Sequence, residues 1–395
     1  MRKALFFLFI LVSFKCYSQI ETVKDSSAVI DGLFNIQPLP FVSSNPAYGI
    51  MFGLSLSSNF RFTSEKETKI SSAILTSDYT TLNQLMFALK TNIFTPGNKW
   101  VFSGDWRFYV TSQPTFGLGT GYSKYPEDDL HNIEQPMEFN MLRFHETASV
   151  QIAKNTFIGL GVYYDWISKI DDKLLDVENG IYTSHYLYNT KYDFDLESTT
   201  SVGLGLSLSY DSRDLPNNAS KGAYLSFTYK FYENMLGNRY DSGNVYLDLR
   251  KYVPLSTKNT NKLAFWFLGN FVTHGRLPYM NLTSIGWDQR GTSGRGYKQG
   301  RFRGENFLYT EAEFRGDLPI QKEKHPERWG YVVFANVSTL SSNMDEIKLF
   351  NSLAPGYGVG LRLMLKKVSK SNLTIDYARG LNGQGGVYIN YNEMF

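Results

Sequence analysis

The stretch VGLGLSLSY, Val202–Tyr210, alternates without a break. Val202, Leu204, Leu206, Leu208 and Tyr210 fall on one side, and Gly203, Gly205, Ser207 and Ser209 on the other. Successive side chains of an extended chain point in opposite directions, so a period of two marks a strand with one apolar and one polar face. The pattern recurs. Tyr48, Ile50, Phe52, Leu54 and Leu56 alternate with Gly49, Met51, Gly53, Ser55 and Ser57. Leu225, Phe227, Tyr229 and Phe231 alternate with Ser226, Thr228 and Lys230. Tyr357, Val359, Leu361, Leu363 and Leu365 alternate with Gly358, Gly360 and Arg362.

A soluble sandwich also alternates, but two features separate this chain from one. The runs are about 10 to 13 residues long, whereas globular strands average about five or six and bilayer-crossing strands need about 9–11. The polar face also carries ionisable side chains among small glycines and serines, as a barrel lumen does, which turns the apolar face to lipid. About sixteen runs centre near Leu54, Ile74, Leu89, Trp106, Leu118, His145, Val162, Leu206, Phe227, Leu247, Phe267, Ala312, Phe334, Leu361, Ile375 and Tyr391. An even number closes an antiparallel barrel with both ends on one side. Short turns at Ile152–Asn155, Asp214–Gly222, Ser256–Asn261 and Lys366–Asn372 alternate with long connectors at Lys124–Glu138, Ser168–Thr199, Arg276–Glu305 and Thr339–Pro355. Short periplasmic turns and long external loops are the habit of such barrels. Glu146 breaks the pattern, because it falls on the lipid face; it is expected near an interface or a bulge.

The start of the chain reads as a secretory signal. Arg2 and Lys3 precede an apolar core, Ala4–Phe14, with cleavage expected before Gln19. Cys16 is the single cysteine and leaves with that segment, so the mature chain is expected to hold no disulfide, thiol nucleophile or cysteine metal site. The net charge of +3 argues against a nucleic-acid partner. Aromatic residues make up 16% of the chain, in keeping with interfacial girdles. The expected organisation is a signal peptide at 1–18, a short N-terminal periplasmic lead at 19–43, and an all-β transmembrane antiparallel barrel of about sixteen strands at 44–395, integral to a bacterial outer membrane and embedded in its lipid.

Several motifs then fall in order: PAYGIMFG (Pro46–Gly53), YDSRDLPNNASKG (Tyr210–Gly222), GRGYKQGRFRG (Gly294–Gly304), YTEAEFRGDLP (Tyr309–Pro319), LTIDYARG (Leu373–Gly380) and a final Phe395. In this order, with five strands after the glycine-rich loop, they resemble the BamA/TamA outer-membrane surface-antigen superfamily, whose members assemble or translocate proteins through sixteen-stranded barrels. The resemblance implies that Arg276–Glu305 folds inward and that Arg295, followed by Gly296 and Tyr297, dips into the lumen to meet acids on the next two strands. If Leu308, Thr310, Ala312 and Phe314 face lipid, Glu311 and Glu313 face inward, and Glu313 sits where the superfamily's first acidic partner lies. The second position holds Asn336, which brings no charge, so Arg295 is expected to rely on Glu313, with Glu311 beside it. Asp211, Arg213, Asp214 and Gly222 make the superfamily's periplasmic turn motif. VYINYNEMF, with Tyr391 and Phe395, resembles the terminal assembly signal, although Glu393 stands at a usually apolar position.

The resemblance implies a role in outer-membrane protein assembly or insertion, or in polypeptide or lipid translocation, with partner assembly components or client barrels. Its mechanism rests on a weak seam, expected here between Tyr48–Asn59 and Val387–Phe395. Superfamily insertases carry periplasmic POTRA repeats, and Gln19–Ser43 is too short for one. The rival reading is a passive channel or scaffold. It is disfavoured by the mixed signs of inward residues such as Arg61, Asp105, Arg107, Arg143, Asp165, Lys230 and Arg362, which suit internal ion pairs. No cofactor, metal or catalytic residue is expected. Of five histidines only His145 lies mid-strand and inward, where a hydrogen-bonded lumen residue is the better reading than a general base. Asp128-Asp129 and Asp171-Asp172 read as solvated loop acids.

Overall fold

The structure is a computed structural model that describes residues 35–63, 68–121, 133–216, 218–256, 261–288, 291–320, 328–366 and 370–395. The expected signal peptide, residues 19–34 of the expected lead, and Asp128-Asp129 lie outside these residues. The strands are β1 Asn35–Asn45, β2 Gly49–Phe60, β3 Ser71–Thr80, β4 Leu85–Phe94, β5 Trp100–Thr115, β6 Gln135–Ala153, β7 Thr156–Asp172, β8 Ser198–Asp211, β9 Gly222–Tyr232, β10 Ser242–Pro254 and β11 Lys262–His274. A two-stranded ribbon, β12 Thr283–Ser284 and β13 Arg303–Gly304, precedes β14 Asn306–Asp317, β15 Trp329–Ser341, β16 Ala354–Lys366, β17 Ser371–Arg379 and β18 Gly385–Tyr391. All but the ribbon close one antiparallel barrel of sixteen strands, each paired with its chain neighbours, β11 with β14, and β18 with β1.

The period of two sets the radial order. On β8 Leu204, Leu206 and Leu208 are exposed on the outer wall, whereas Ser201, Gly203 and Gly205 are buried on the inner side. On β11 Ala264, Trp266 and Leu268 are buried inward while Phe265 is exposed outward. Glu146 does face outward, between Phe144 and Ala148. The β6 bulge at Gln151–Ala153 lies closer to the short turn; what accommodates Glu146 is the indole of Trp106, whose Nε1 donates to Oε2 at 3.1 Å.

Two expectations about the strands need correction, and they offset one another in the count. The barrel starts at Asn35, inside the expected lead, and β2, not the edge strand, holds Tyr48's neighbours from Gly49. Pro38 and Pro40 disguise β1 as a loop. Ile50 accepts from the Thr81 amide, so even residues of β2 bond toward β3 and odd ones toward β1. With Gly53 opposite Phe41, the odd residues of β1 bond β2 and the even ones point to the seam. Both prolines are even, so neither interrupts the β1–β2 ladder, which is where a strand tolerates proline. The run near Leu118, by contrast, is no wall strand. β5 ends at Thr115, Gly119 and Gly121 take positive φ (84° and 116°), and Leu118 is buried inside the barrel.

The seam is the weakest joint of the wall. Among the described residues β1 and β18 are paired at Ser44 and Ile389, whereas β17 and β18 pair from Leu373–Tyr391 to Arg379–Gly385. Asn392 then takes a positive φ of 71°, and Glu393, Met394 and Phe395 turn into the lumen, all buried. The expected assembly signal therefore divides: Tyr391 ends the wall strand, and Phe395 stacks inside on Trp266, with ring centroids 5.3 Å apart. At the other end, α1 (Ser184–Lys191) lies across the long-loop mouth, where Tyr188 Oη donates to the Leu277 carbonyl at 3.1 Å.

Candidate functional site

The inward loop leaves β11 at His274 and returns at β14. Its stem is the β12–β13 ribbon, extended by the Ile285 amide on the Phe302 carbonyl (2.9 Å) and the Gly300 amide on the Ile285 carbonyl (3.0 Å). Beyond the stem, Asp288 collects the amides of Gly291 (3.1 Å) and Ser293 (2.9 Å). Arg303 Nη1 donates to the carbonyls of Tyr279 (3.2 Å) and Leu282 (3.2 Å), holding the other side of the loop. Phe116–Gly121 braces the stem, with the Gly119 amide on the Arg303 carbonyl at 2.7 Å. Backbone groups that no sheet satisfies thus find partners inside the lumen, as burial requires.

Gly296 has to be glycine. Its φ is 106°, and a Cβ there would stand 2.7 Å from the Arg379 carbonyl oxygen. Its amide donates to Tyr388 Oη at 3.1 Å. Tyr297 next to it bridges the start of β16 and the β17–β18 turn: its hydroxyl donates to the Pro355 carbonyl at 2.6 Å and accepts from the Leu381 amide at 3.1 Å.

Arg295 is buried, and its guanidinium meets three carboxylates. Nη2 bonds Glu311 and Glu313 on β14, and Nη1 bonds Asp376 on β17 at 2.5 Å. The Phe334 ring lies 3.5 Å from Arg295 Cζ. Asn336 does not touch the guanidinium; its Nδ2 donates to the Arg295 carbonyl at 3.0 Å and to Glu311 at 3.4 Å. The charge expected at 336 is supplied two strands further on. Asp376 reaches across because β16 presents Gly356, Gly358 and Gly360 between β15 and β17. A Cβ on Gly360 would overlap Asp376 Oδ1, and one on Gly356 would stand 2.6 Å from the Arg295 carbonyl oxygen.

The cluster continues toward the short-turn end. Arg315 Nε bonds Glu313 at 2.6 Å, Arg362 bonds Asp376, and Arg362 Nε bonds Glu393 at 2.8 Å. Asn372 adds a bond to Glu393 at 2.7 Å. Arg295, Arg315 and Arg362 therefore face Glu311, Glu313, Asp376 and Glu393 in one buried network. An isolated buried ion is strongly unfavourable, so the members hold one another in place. The parity of β17 turns Asp376 inward, but its pairing with Arg295 is not legible in the sequence, and Glu393 reads there as a misfit in a wall strand rather than as a partner of Arg362.

The remaining motif residues sit apart from this network. Arg213 makes a bidentate pair with Asp211 (2.9 and 2.8 Å), Asp214 accepts from the Ser220 amide (2.8 Å), and Gly222 has φ 104°. They shape the β8–β9 turn. His145 pairs with Asp165 (2.9 Å), which also binds Arg143 (2.6 Å), on the opposite wall. Asp171 is exposed beside Lys173 as expected, but Asp172 is buried, accepting from the Thr183 hydroxyl. Between β13 and β14, burial pushes the Glu305 carboxyl up to about 7. Among the described residues no group of three or more His, Cys, Asp or Glu could hold a metal ion.

The Omp85 superfamily domain matches residues 107–389. No curated protein matches the chain by sequence. Among solved structures, BamA from Haemophilus ducreyi lacking POTRA domains 1–3 superposes with a TM-score of 0.57 at 11% identity, over 93% of this chain and 75% of that one. CdiB from Acinetobacter baumannii gives 0.52 at 14% identity (91% and 59%), and CdiB from Escherichia coli 0.55 at 11% (92% and 68%). Identities this low carry the fold alone, whereas the domain match spans most of the chain. The protein, an integral β-barrel of the outer membrane, belongs to the Omp85 superfamily.

Proposed function

We propose that this barrel acts in outer-membrane protein assembly or insertion, or in polypeptide or lipid translocation, together with partner proteins. The observation that carries this reading is the seam, where among the described residues β1 and β18 pair at Ser44 and Ile389 and the chain turns inward after Tyr391. Unpaired backbone groups facing lipid cost several kcal/mol each, so a wall with such a gap is poised to admit another segment there. The superfamily assembles or translocates proteins, which agrees with a seam of this kind. Arg295, Gly296 and Tyr297, with Glu311, Glu313 and Asp376, would hold the loop as a fixed inner support while the seam moves.

The rival is a passive channel or scaffold. The buried loop and the Asn392–Phe395 segment fill the lumen against an open pore. Planar-bilayer recording separates the two. The assembly reading expects no steady conductance from the intact barrel and a large conductance after deletion of Gly291–Gly304; steady large conductance from the intact barrel would favour the channel. Cross-linking in cells followed by purification should recover assembly components or client barrels, and recovery of none counts against the proposal.

A further inference from the structure

Beneath the charge network, at the short-turn end of the lumen, lies a cavity rimmed by Lys262, Arg315, Arg328, Lys370, Asn218 and Asn372. Among the described residues its cations outnumber its anions. Lys262 is buried at the inner foot of β11, and its ammonium bonds Asn218 Oδ1 at 2.7 Å. Among the described residues no carboxylate lies within ion-pair distance of it. Arg315 spends Nε and Nη2 on Glu313 and the Phe395 carbonyl, and its buried Nη1 has no hydrogen-bond partner among the described residues. Lys370 and Arg328 add two cations from the β16–β17 and β14–β15 turns, neither ion-paired among the described residues. Against them stand Asp317 and Glu393, and Glu393 is committed to Arg362 and Asn372 and lies 3.9 Å from Arg315 Nε.

The surroundings are built rather than incidental. The β8–β9 turn folds under the barrel so that Asn218 ties Lys262 on one side to the Lys370 carbonyl on the other (3.0 Å). A buried ammonium without a counter-ion is strongly unfavourable, and donors converging from separate elements suit a tetrahedral oxyanion better than a planar carboxylate. We propose that this cavity binds a phosphate oxyanion, through Lys262 Nζ and Arg315 Nη1 from the wall and Lys370 and Arg328 from the turns. Free phosphate and the phosphomonoester headgroup of a lipid at the rim share this chemistry.

The test uses the purified full chain in dodecylmaltoside. Inorganic phosphate and lysophosphatidic acid are titrated separately by calorimetry, with sodium chloride at matched ionic strength as blank. Saturable binding of at least one probe is expected, weakened ten-fold or more by Lys262→Met. Binding of lysophosphatidic acid alone assigns the headgroup; binding of inorganic phosphate, with or without the lipid, assigns the free ion. Should Lys262→Met fail to fold, Lys370→Gln on the turn carries the same expectation. No saturable binding of either probe, or full binding retained by the folded variant, overturns the proposal.

Discussion

The register of Ser44 and Ile389, if continued, would set Glu393 opposite Pro40, yet the Glu393 carboxylate lies inside the barrel, 2.8 Å from Arg362 Nε. The same continuation would set Phe395 opposite Pro38, and it too is buried inside. The two seam-facing positions of β1 next below Val42 are thus Pro40 and Pro38, with no N–H for a descending β18. Continued pairing would leave the carbonyls of Glu393 and Phe395 without donors in lipid, at several kcal/mol each. In the lumen, Arg315 Nη2 serves the Phe395 carbonyl (3.2 Å) and Thr292 the Met394 carbonyl (3.0 Å).

Restoring the two donors should let the wall close. In a Pro38→Val/Pro40→Val chain, cysteines at Leu39 and Met394 would sit across a non-hydrogen-bonded pair, where strands approach to about 4.5 Å between Cα atoms. Disulfide formation is expected in that background and not in the chain with both prolines. Equal trapping in both would show that proline does not hold the seam apart.

Arg295→Ala leaves Glu311, Glu313 and Asp376 buried without their shared cation. Removing one partner of a buried ion pair costs about 3–5 kcal/mol, so folding yield and the temperature of heat-modifiability on gels should both fall. Asn336→Asp should also destabilise, because it turns an acceptor toward the Arg295 carbonyl that Asn336 now serves as donor. Heat-modifiability unchanged in Arg295→Ala would contradict the anchor.

Gly296→Ala tests the loop's backbone. A methyl at φ 106° and 2.7 Å from the Arg379 carbonyl oxygen strains the loop tip, by about 1–3 kcal/mol for the backbone alone. Gly291 has φ 73°, and its Cβ would find its nearest atom at 3.8 Å, so Gly291→Ala should be milder. Limited proteolysis should cut the loop faster in Gly296→Ala than in Gly291→Ala; the reverse order would count against the close approach.

Glu305 makes the long-loop end sensitive to pH. Burial raises its carboxyl from the ordinary 4.5 to about 7, so the folded state favours the protonated form. That contribution is complete below pH 4.5 and is lost as pH rises through 7, on the order of 3 kcal/mol in all. The unfolding temperature should fall between pH 5 and pH 8, and Glu305→Gln should flatten that part of the profile. The same slope in the variant would assign the effect to another group.

The barrel was legible because a lipid-facing wall imposes alternation on nearly every strand, and β8 or β16 shows it without help from its neighbours. β1 was not, because prolines read as loop unless one knows which edge they face. Leu118 misled for the opposite reason: an apolar residue among glycines looks like strand whether it faces lipid or the lumen. At the site, Arg295, Glu311 and Glu313 followed from the loop and the parity of β14. Asp376 did not, because its reach depends on Gly356, Gly358 and Gly360, whose contribution is an absence of side chain. Glu393, read as a misfit in a wall strand, belongs to a segment that leaves the wall.

The most direct test of the seam's role is a photo-activated cross-linker at Val42, which is 54% exposed on the lipid-facing side of β1 beside the gap. Irradiation of growing cells should yield adducts with outer-membrane barrel chains or translocated polypeptides, and the same probe at Leu206, on the far outer wall, should not. Lipid adducts alone at Val42, or the same protein adducts at both positions, would contradict a seam that receives clients.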